Sequence, residues 1–101
     1  SDVYKRQIQE RMEALQEELR TTMVTGESGA GLVKATATAK GELTGLDIDP
    51  SIFNPEEKEV VEDLILAAIK DAQTKAAEKS QAEMASLTES FGFPAGMKLP
   101  F

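Results

Sequence analysis

Apolar residues in the first fifth of the chain recur at helical spacing. They are separated by four, four, three and four positions and lie on one side of an α-helix: Tyr4, Ile8, Met12, Leu15 and Leu19. The residues between them are mostly Glu, Gln, Arg and Lys, which favour helices. The pattern predicts a helix over residues 3–20. Its apolar stripe is narrow, as in the contact seam of a coiled coil.

The following segment alternates between polar and apolar positions instead. We predict three strands between residues 23 and 49, at about 23–27, 32–39 and 42–49. The short links between them indicate an antiparallel meander, with Lys40 and Gly41 forming a two-residue turn. The small Ala and Thr side chains of the second strand leave room for a closely packed helix. Its two faces carry Leu32, Lys34, Thr36 and Thr38 on one side, and Val33, Ala35, Ala37 and Ala39 on the other.

A second, longer helix is predicted over residues 55–87. Asn54 is a preferred N-cap residue, Pro55 fits the first helical position, and the two glutamates that follow favour the positive end of the helix dipole. Beyond residue 76, Met84 and Leu87 are isolated apolar points. The buried face is predicted to comprise Val61, Leu64, Ile65, Ala68, Ile69, Ala72 and Ala76.

The last segment, residues 88–101, is rich in glycine and proline and is predicted to be irregular. It also holds most of the phenylalanines of the chain, in the stretch Phe91–Phe101. Two interpretations remain open. The segment is either a frayed end or an element that docks on a groove or on a protein partner.

The stretch GESGAG, residues 26–31, resembles the beginning of a phosphate-binding loop. Such a loop continues with Lys and then Ser or Thr, but Leu32 and Val33 occupy those two positions here. The loop must also link a strand to a helix, whereas this stretch precedes a predicted strand. We predict a hairpin turn, since two of its residues are glycines that tolerate positive φ.

Composition excludes most catalytic chemistry. The chain has 101 residues, enough for one domain, and contains neither cysteine nor histidine. Disulfides, thiolate metal sites and the commonest general base are therefore absent. Asp47 and Asp49 share a strand face and could hold Mg²⁺, but two carboxylates make a poor site, and they fit a strand end and turn before Pro50 better. We predict no enzymatic activity, no cofactor and no metal.

The lengths of the predicted elements favour a homodimer. A helix of about 30 residues is ~45 Å long, whereas a compact domain of this size has a radius of gyration of ~13 Å. Three short strands cannot cover both helices. We therefore expect the seam of the first helix to meet a second copy of itself or the partner's sheet, with helix ends projecting as paired arms.

Four segments together resemble the YbaB/EbfC family of bacterial nucleoid-associated proteins. They are VTGESGAGLVK, the turn IDPS, the helical EDLILAAIKDA and the closing PAGMKLPF, and the resemblance covers nearly the whole chain. It implies an α+β fold with an α-β-β-β-α protomer, in which a three-stranded antiparallel meander is flanked by two long helices. It also implies a tweezers-like dimer and binding of duplex DNA with little sequence preference, in nucleoid organisation or gene regulation.

The net charge of −7 confines any DNA contact to a local patch. The candidate phosphate contacts are cations on the two helices: Lys5, Arg6, Arg11, Lys70, Lys75 and Lys79. The competing interpretation is that these cations are solvated and paired with acidic neighbours, namely Glu10, Glu13, Glu78 and Glu83.

An alternative function is a protein-interaction adaptor that uses the overhanging helices and the apolar C-terminal segment. No apolar run approaches the ~18–20 residues of a membrane span, so we expect no membrane partner and a cytoplasmic protein, located at the nucleoid if it binds DNA.

Overall fold

The computed structural model describes residues 2–93 and confirms the predicted α+β order of elements. Helix α1 spans Asp2–Thr21, strands β1, β2 and β3 span Met23–Ser28, Val33–Thr38 and Leu43–Ile48, and helix α2 spans Lys58–Ser90. The strands form an antiparallel sheet in the order β1-β2-β3, as the predicted meander requires. None of the helices in the described residues is both long and apolar enough to cross a membrane.

The glycine stretch forms the predicted hairpin turn. A tight turn over Gly29–Gly31, closed by a hydrogen bond from the Leu32 amide to the Gly29 carbonyl at 3.2 Å, joins β1 to β2. The φ angles of Gly29 and Gly31 are 59° and 90°, which cost glycine little, and Ala30 between them also has a positive φ of 57°. The stretch therefore connects two strands, which is not the strand-to-helix geometry of a phosphate-binding loop.

One core cluster lies between the sheet and the first half of α2. Of the two faces of β2, the one carrying Val33, Ala35 and Ala37 is the inner face, since these residues are completely buried against Ala68 and Ala72. Small residues on both elements bring the helix unusually close. The remaining apolar residues at this contact are only partly buried: Val24, Ile48, Ile52, Leu64, Ile65 and Ile69.

Gly26 on β1 is the point of closest approach. A Cβ atom added to Gly26 would lie 2.1 Å from the backbone nitrogen of Ala72 and 2.6 Å from the carbonyl oxygen of Ala68. These distances are far below van der Waals contact, so the backbone of α2 rests directly on the backbone of β1. Gly26 is thus a packing residue.

The second core cluster lies where α1 packs against the far half of α2. Leu15, Leu19, Ala39 and Leu87 are buried there, and Met12, Met84 and Phe91 pack around them. The molecule is elongated, with extents of 65 × 21 × 17 Å, because these paired helix segments project beyond the sheet. We call the projection, formed by residues 2–21 and 80–91, the arm.

The arm corrects two predictions. The seam of α1 was expected to meet a second chain, but α2 of the same chain and Ala39 cover Leu15 and Leu19. The physical reason is that α2 continues past the sheet and provides an apolar surface for α1. Met84 and Leu87 are therefore part of that surface and are not isolated points.

Both ends of α2 also differ slightly from the prediction. Asn54 caps as expected, since its side chain accepts a hydrogen bond from the Glu56 amide at 3.1 Å, but the first turn is a 3-10 turn and α2 begins at Lys58. The helix ends at Ser90 instead of residue 87. Burial of Leu87 and Thr88 against the rest of the protein sustains the additional turn.

The end of α2 is a Schellman motif. Gly92 has a φ of +85°, its amide donates to the carbonyl of Glu89 at 2.9 Å, and the amide of Phe93 donates to the carbonyl of Thr88 at 3.2 Å. A glycine followed two positions later by Pro94 is the sequence signal for such an end. The rest of the C-terminal segment, for which docking or fraying was predicted, lies outside the described residues.

Candidate nucleic-acid interface

The three candidate cations of α1 surround the helix and do not form a row. Successive residues of an α-helix are rotated by about 100°. Measured from buried Ile8, Lys5 and Arg11 therefore lie on opposite flanks of the apolar stripe, and Arg6 points away from it. All three are exposed and belong to the arm. An anion could reach Arg6 from the solvent side, whereas Arg11 faces the end of α2.

Arg11 contacts an aromatic pair at the outer end of the arm. Its guanidinium carbon lies 5.3 Å from the centroid of the Phe91 ring, within the range of a cation–π contact. Tyr4 meets the same ring edge-on, with centroids 5.9 Å apart, and its hydroxyl donates to the Phe91 carbonyl at 2.8 Å. Phe91 therefore joins the two helices at this end.

Two of the three candidate cations on α2 are already ion-paired. Lys75 lies 3.0 Å from Asp71 and Lys79 lies 3.1 Å from Glu83, each pair being one helical turn apart. Glu83 was among the acidic partners considered from the sequence, whereas Asp71 was not. Both pairs are partly exposed, so solvent and salt weaken them.

Lys70 lies on a different side of α2. It is exposed, it is five positions from Lys75, and within residues 2–93 no ion pair reaches it. The structure therefore divides the six predicted contacts into three cations around the arm end of α1 and three along α2. They do not form a single continuous row.

Asp71 and Lys75 also bind the outer edge of β1. The Asp71 carboxylate accepts a hydrogen bond from the Glu27 amide at 2.9 Å, and the Lys75 ammonium donates to the Thr25 carbonyl at 3.3 Å. The Glu27 amide, followed by Lys75, lowers the pKa of Asp71 below its usual value. Lys75 is thus held beside the sheet by two partners.

Of the two aspartates weighed as a metal site, Asp47 lies in β3 and Asp49 lies in the turn that follows it. The Asp49 carboxylate accepts from the Ser51 amide at 2.9 Å, and this hydrogen bond lowers the pKa of Asp49. Asp47 lies opposite Lys34 of β2 in the sheet register. In the described part of the chain, no cluster of three or more acidic residues could hold a metal ion.

An exposed apolar surface lies on the helix side of the sheet, beyond α2. Leu46 pairs in register with buried Ala35, so it faces the same side, yet it remains 44% exposed. Leu43, which pairs with Ala37, is 46% exposed. Leu66, which is 65% exposed, lies nine positions before Lys75 and so about 180° around α2 from it. Since Lys75 contacts the edge of β1, Leu66 lies on the side of α2 away from that edge. We call Leu43, Leu46 and Leu66 the β3 apolar surface.

The sequence pattern missed this surface. The alternation of polar and apolar residues in β3 is compatible with a buried position for Leu46. Its neighbours in the chain do not show that the covering helix lies over the other two strands. The position of Leu66 could have indicated an exposed apolar residue, since it falls outside the apolar stripe predicted for the second helix.

Comparison with known proteins places the chain in a family. A family model described as the YbaB/EbfC DNA-binding family matches residues 5–91. Nucleoid-associated protein Atu0095 of Agrobacterium fabrum is 46% identical over 96 residues, covering 95% of this chain and 90% of the relative. A nucleoid-associated protein of Dictyoglomus turgidum is also 46% identical, over 92 residues that cover 91% of this chain and 88% of the relative.

A solved structure shares the fold. The crystal structure of HP0035 from Helicobacter pylori superposes with a TM-score of 0.69 and 26% identity, covering 79% of this chain and 84% of that protein. The family match, the two nucleoid-associated relatives and the α-β-β-β-α order agree with one another. This chain belongs to the YbaB/EbfC family of DNA-binding, nucleoid-associated proteins.

Proposed function

We propose that the protein binds duplex DNA as a homodimer, mainly through phosphate contacts with little sequence preference, and acts in nucleoid organisation or gene regulation in the bacterial cytoplasm. The observation that carries the proposal is the nearly full-length match to a DNA-binding family and to two relatives named nucleoid-associated protein. The proposal assigns no catalytic step and no cofactor.

Charge decides which cations contribute most to this proposed binding. With a net charge of −7 the molecule as a whole repels DNA, so affinity depends on a few local contacts. Arg6 and Lys70 have no ion-pair partner within residues 2–93, so a phosphate need not displace a carboxylate of those residues from them. Lys75 and Lys79 must first give up Asp71 and Glu83. We therefore rank Arg6 and Lys70 above Lys75 and Lys79.

An electrophoretic shift with duplex DNA at two salt concentrations tests the proposal. We expect binding to weaken steeply with salt, because each phosphate contact releases about one counterion. An Arg6→Ala and Lys70→Ala double variant should weaken binding more than Lys75→Ala with Lys79→Ala. Lys34→Ala, which removes a cation from the sheet face opposite α2, is the matched control. A shift that is insensitive to salt would contradict the phosphate mechanism.

The homodimer is supported by the β3 apolar surface. Burying a large aliphatic side chain contributes ~1.5–3 kcal/mol, and a second copy could cover Leu43, Leu46 and Leu66 together. This location replaces the α1 seam that the sequence suggested, because that seam is already covered within the chain.

Sedimentation of charged variants tests the dimer. Leu66→Asp should shift the protein towards monomer at micromolar concentration. Val60→Asp is the matched control, since Val60 is 54% exposed on the flank of α2 nearer β1. A wild-type protein that sediments as a folded monomer would overturn this part of the proposal. Equal effects of the two variants would indicate that the dimer interface is not at the β3 apolar surface.

A further inference from the structure

We propose that Phe91 positions the Arg11 guanidinium for a backbone phosphate of duplex DNA, so that the capped end of α2 is part of the binding surface. This inference rests on the DNA-binding function proposed above. It adds a residue without charge to the interface and gives one cation a defined geometry.

Phe91 is itself held from three directions. It directly precedes Gly92, whose positive φ and amide hydrogen bond to Glu89 stop the helix at this point. The ring of Tyr4 packs against its edge, and the Tyr4 hydroxyl binds its carbonyl oxygen. The Phe91 side chain also packs on the apolar cluster between α1 and α2. A ring fixed in this way offers a stable platform for a neighbouring side chain.

The contact leaves Arg11 able to bind an anion. The guanidinium is attracted to the ring face through its charge, with its carbon 5.3 Å from the ring centroid, and its N–H donors form no hydrogen bond to another residue of 2–93. Within residues 2–93 no carboxylate forms an ion pair with Arg11, in contrast to Lys75 and Lys79. Its planar fork matches two phosphate oxygens, and the contact with the ring reduces the side-chain entropy lost on binding.

An open groove of about 410 Å³ runs beside this pair, lined by Gln7, Glu10, Arg11 and Phe91. Gln7 can donate to a phosphate oxygen, whereas Glu10 opposes an anion. On its other side Arg11 borders a groove between the helices that contains the carboxylates of Glu18 and Glu83. Of the two sides, the groove with Gln7 carries fewer carboxylates, so we assign the phosphate to it.

Variants of Phe91 in two backgrounds test the inference, with affinity measured by fluorescence anisotropy of a labelled duplex. Phe91→Leu keeps an apolar side chain but removes the ring, and we expect it to weaken binding about threefold. Phe91→Tyr keeps the ring and should bind like the wild type. In an Arg11→Ala background Phe91→Leu should have no further effect, because its role is exerted through Arg11.

Thermal melting of each variant serves as the control for folding of the arm. A loss on Phe91→Leu that is the same with and without Arg11, or that Phe91→Tyr does not rescue, would overturn the positioning role. If Arg11→Ala binds like the wild type, the inference fails while DNA binding through other cations stands. If the wild type binds no duplex at all, the proposed function fails and this inference fails with it.

Discussion

The two halves of α2 make opposite kinds of contact. The first half touches the sheet through Ala68 and Ala72, which sit on Gly26 with the two backbones in direct contact. The second half touches α1 through Leu87 and the larger side chains around it. A backbone-to-backbone contact cannot adjust, whereas long side chains can repack around a change. The sheet contact therefore fixes where α2 lies, and the arm contact leaves freedom for the arm.

Gly26→Ala is the variant with the largest expected effect, and it tests the contact between α2 and the sheet. The added methyl would overlap the backbone of α2, so the helix and strand must separate, and we expect a loss of about 3 kcal/mol or more in the free energy of unfolding. Urea unfolding followed by circular dichroism at constant protein concentration measures it.

Gly45→Ala is the matched control. A Cβ on Gly45 would have the Cβ of Thr36, at 3.8 Å, as its nearest neighbour, which is ordinary contact. We expect a change below about 1 kcal/mol, of either sign. Similar losses for the two glycine variants would show that α2 can move away from the sheet at little cost.

Leu19→Ala measures the arm side of the comparison. Leu19 is almost completely buried between α1 and α2. Because neighbouring side chains can partly fill the space, we expect a loss of about 2–3 kcal/mol, near the lower end for a buried leucine. Hydrogen exchange should show the loss of protection concentrated in α1. A loss spread evenly over the sheet would contradict the division of α2 into two independent contacts.

Gly92→Ala tests whether the Schellman motif holds the end of the arm. Alanine at a φ of +85° is strained although no atom of residues 2–93 lies within 4 Å of the added Cβ, and we expect a cost of about 1 kcal/mol. Gly41→Ala imposes similar strain in the turn between β2 and β3, where φ is +92°. Hydrogen exchange near residues 85–90 should rise in the first variant and not in the second. Equal exchange there would show that the Schellman motif does not hold the arm.

The smallest effect concerns pH at the sheet contact. Hydrogen bonding lowers the pKa of Asp71 in the folded protein, so its contribution to stability is complete above its unfolded pKa of about 3.9 and is lost as pH falls through the lower folded value. We expect Asp71→Asn to flatten the acid side of a plot of urea midpoint against pH. Asp49 contributes in the same direction and keeps part of the slope. Parallel plots for variant and wild type would exclude this role for Asp71.

The sequence was sufficient for the order of elements because each carries a local pattern. Alternation placed Val33, Ala35 and Ala37 together on one face of β2, which the structure shows to be the buried one, and the cap at Asn54 located the start of the second helix to within a few residues. These features depend on neighbours in the chain and on elementary periodicity.

Features that depend on distant partners were not predictable in the same way. The stripe of α1 indicated burial but not the identity of the covering surface, which depends on where α2 leaves the sheet. The set of candidate cations stays a prediction. The structure changes its expected ranking, because it shows that Lys75 and Lys79 are ion-paired and that Lys75 is also held by the edge of β1.

The hydrogen bonds from Lys75 to Thr25 and from Glu27 to Asp71 have a consequence for assembly. They occupy outward-facing amide and carbonyl groups of β1, so an added strand would have to displace both side chains at that margin. Sheets that join edge to edge can therefore extend only across β3. Two copies joined in this way would have a β1 strand at each outer edge of the combined sheet, where these side chains oppose further strand pairing. Assembly would then stop at a pair and would not continue into a fibril.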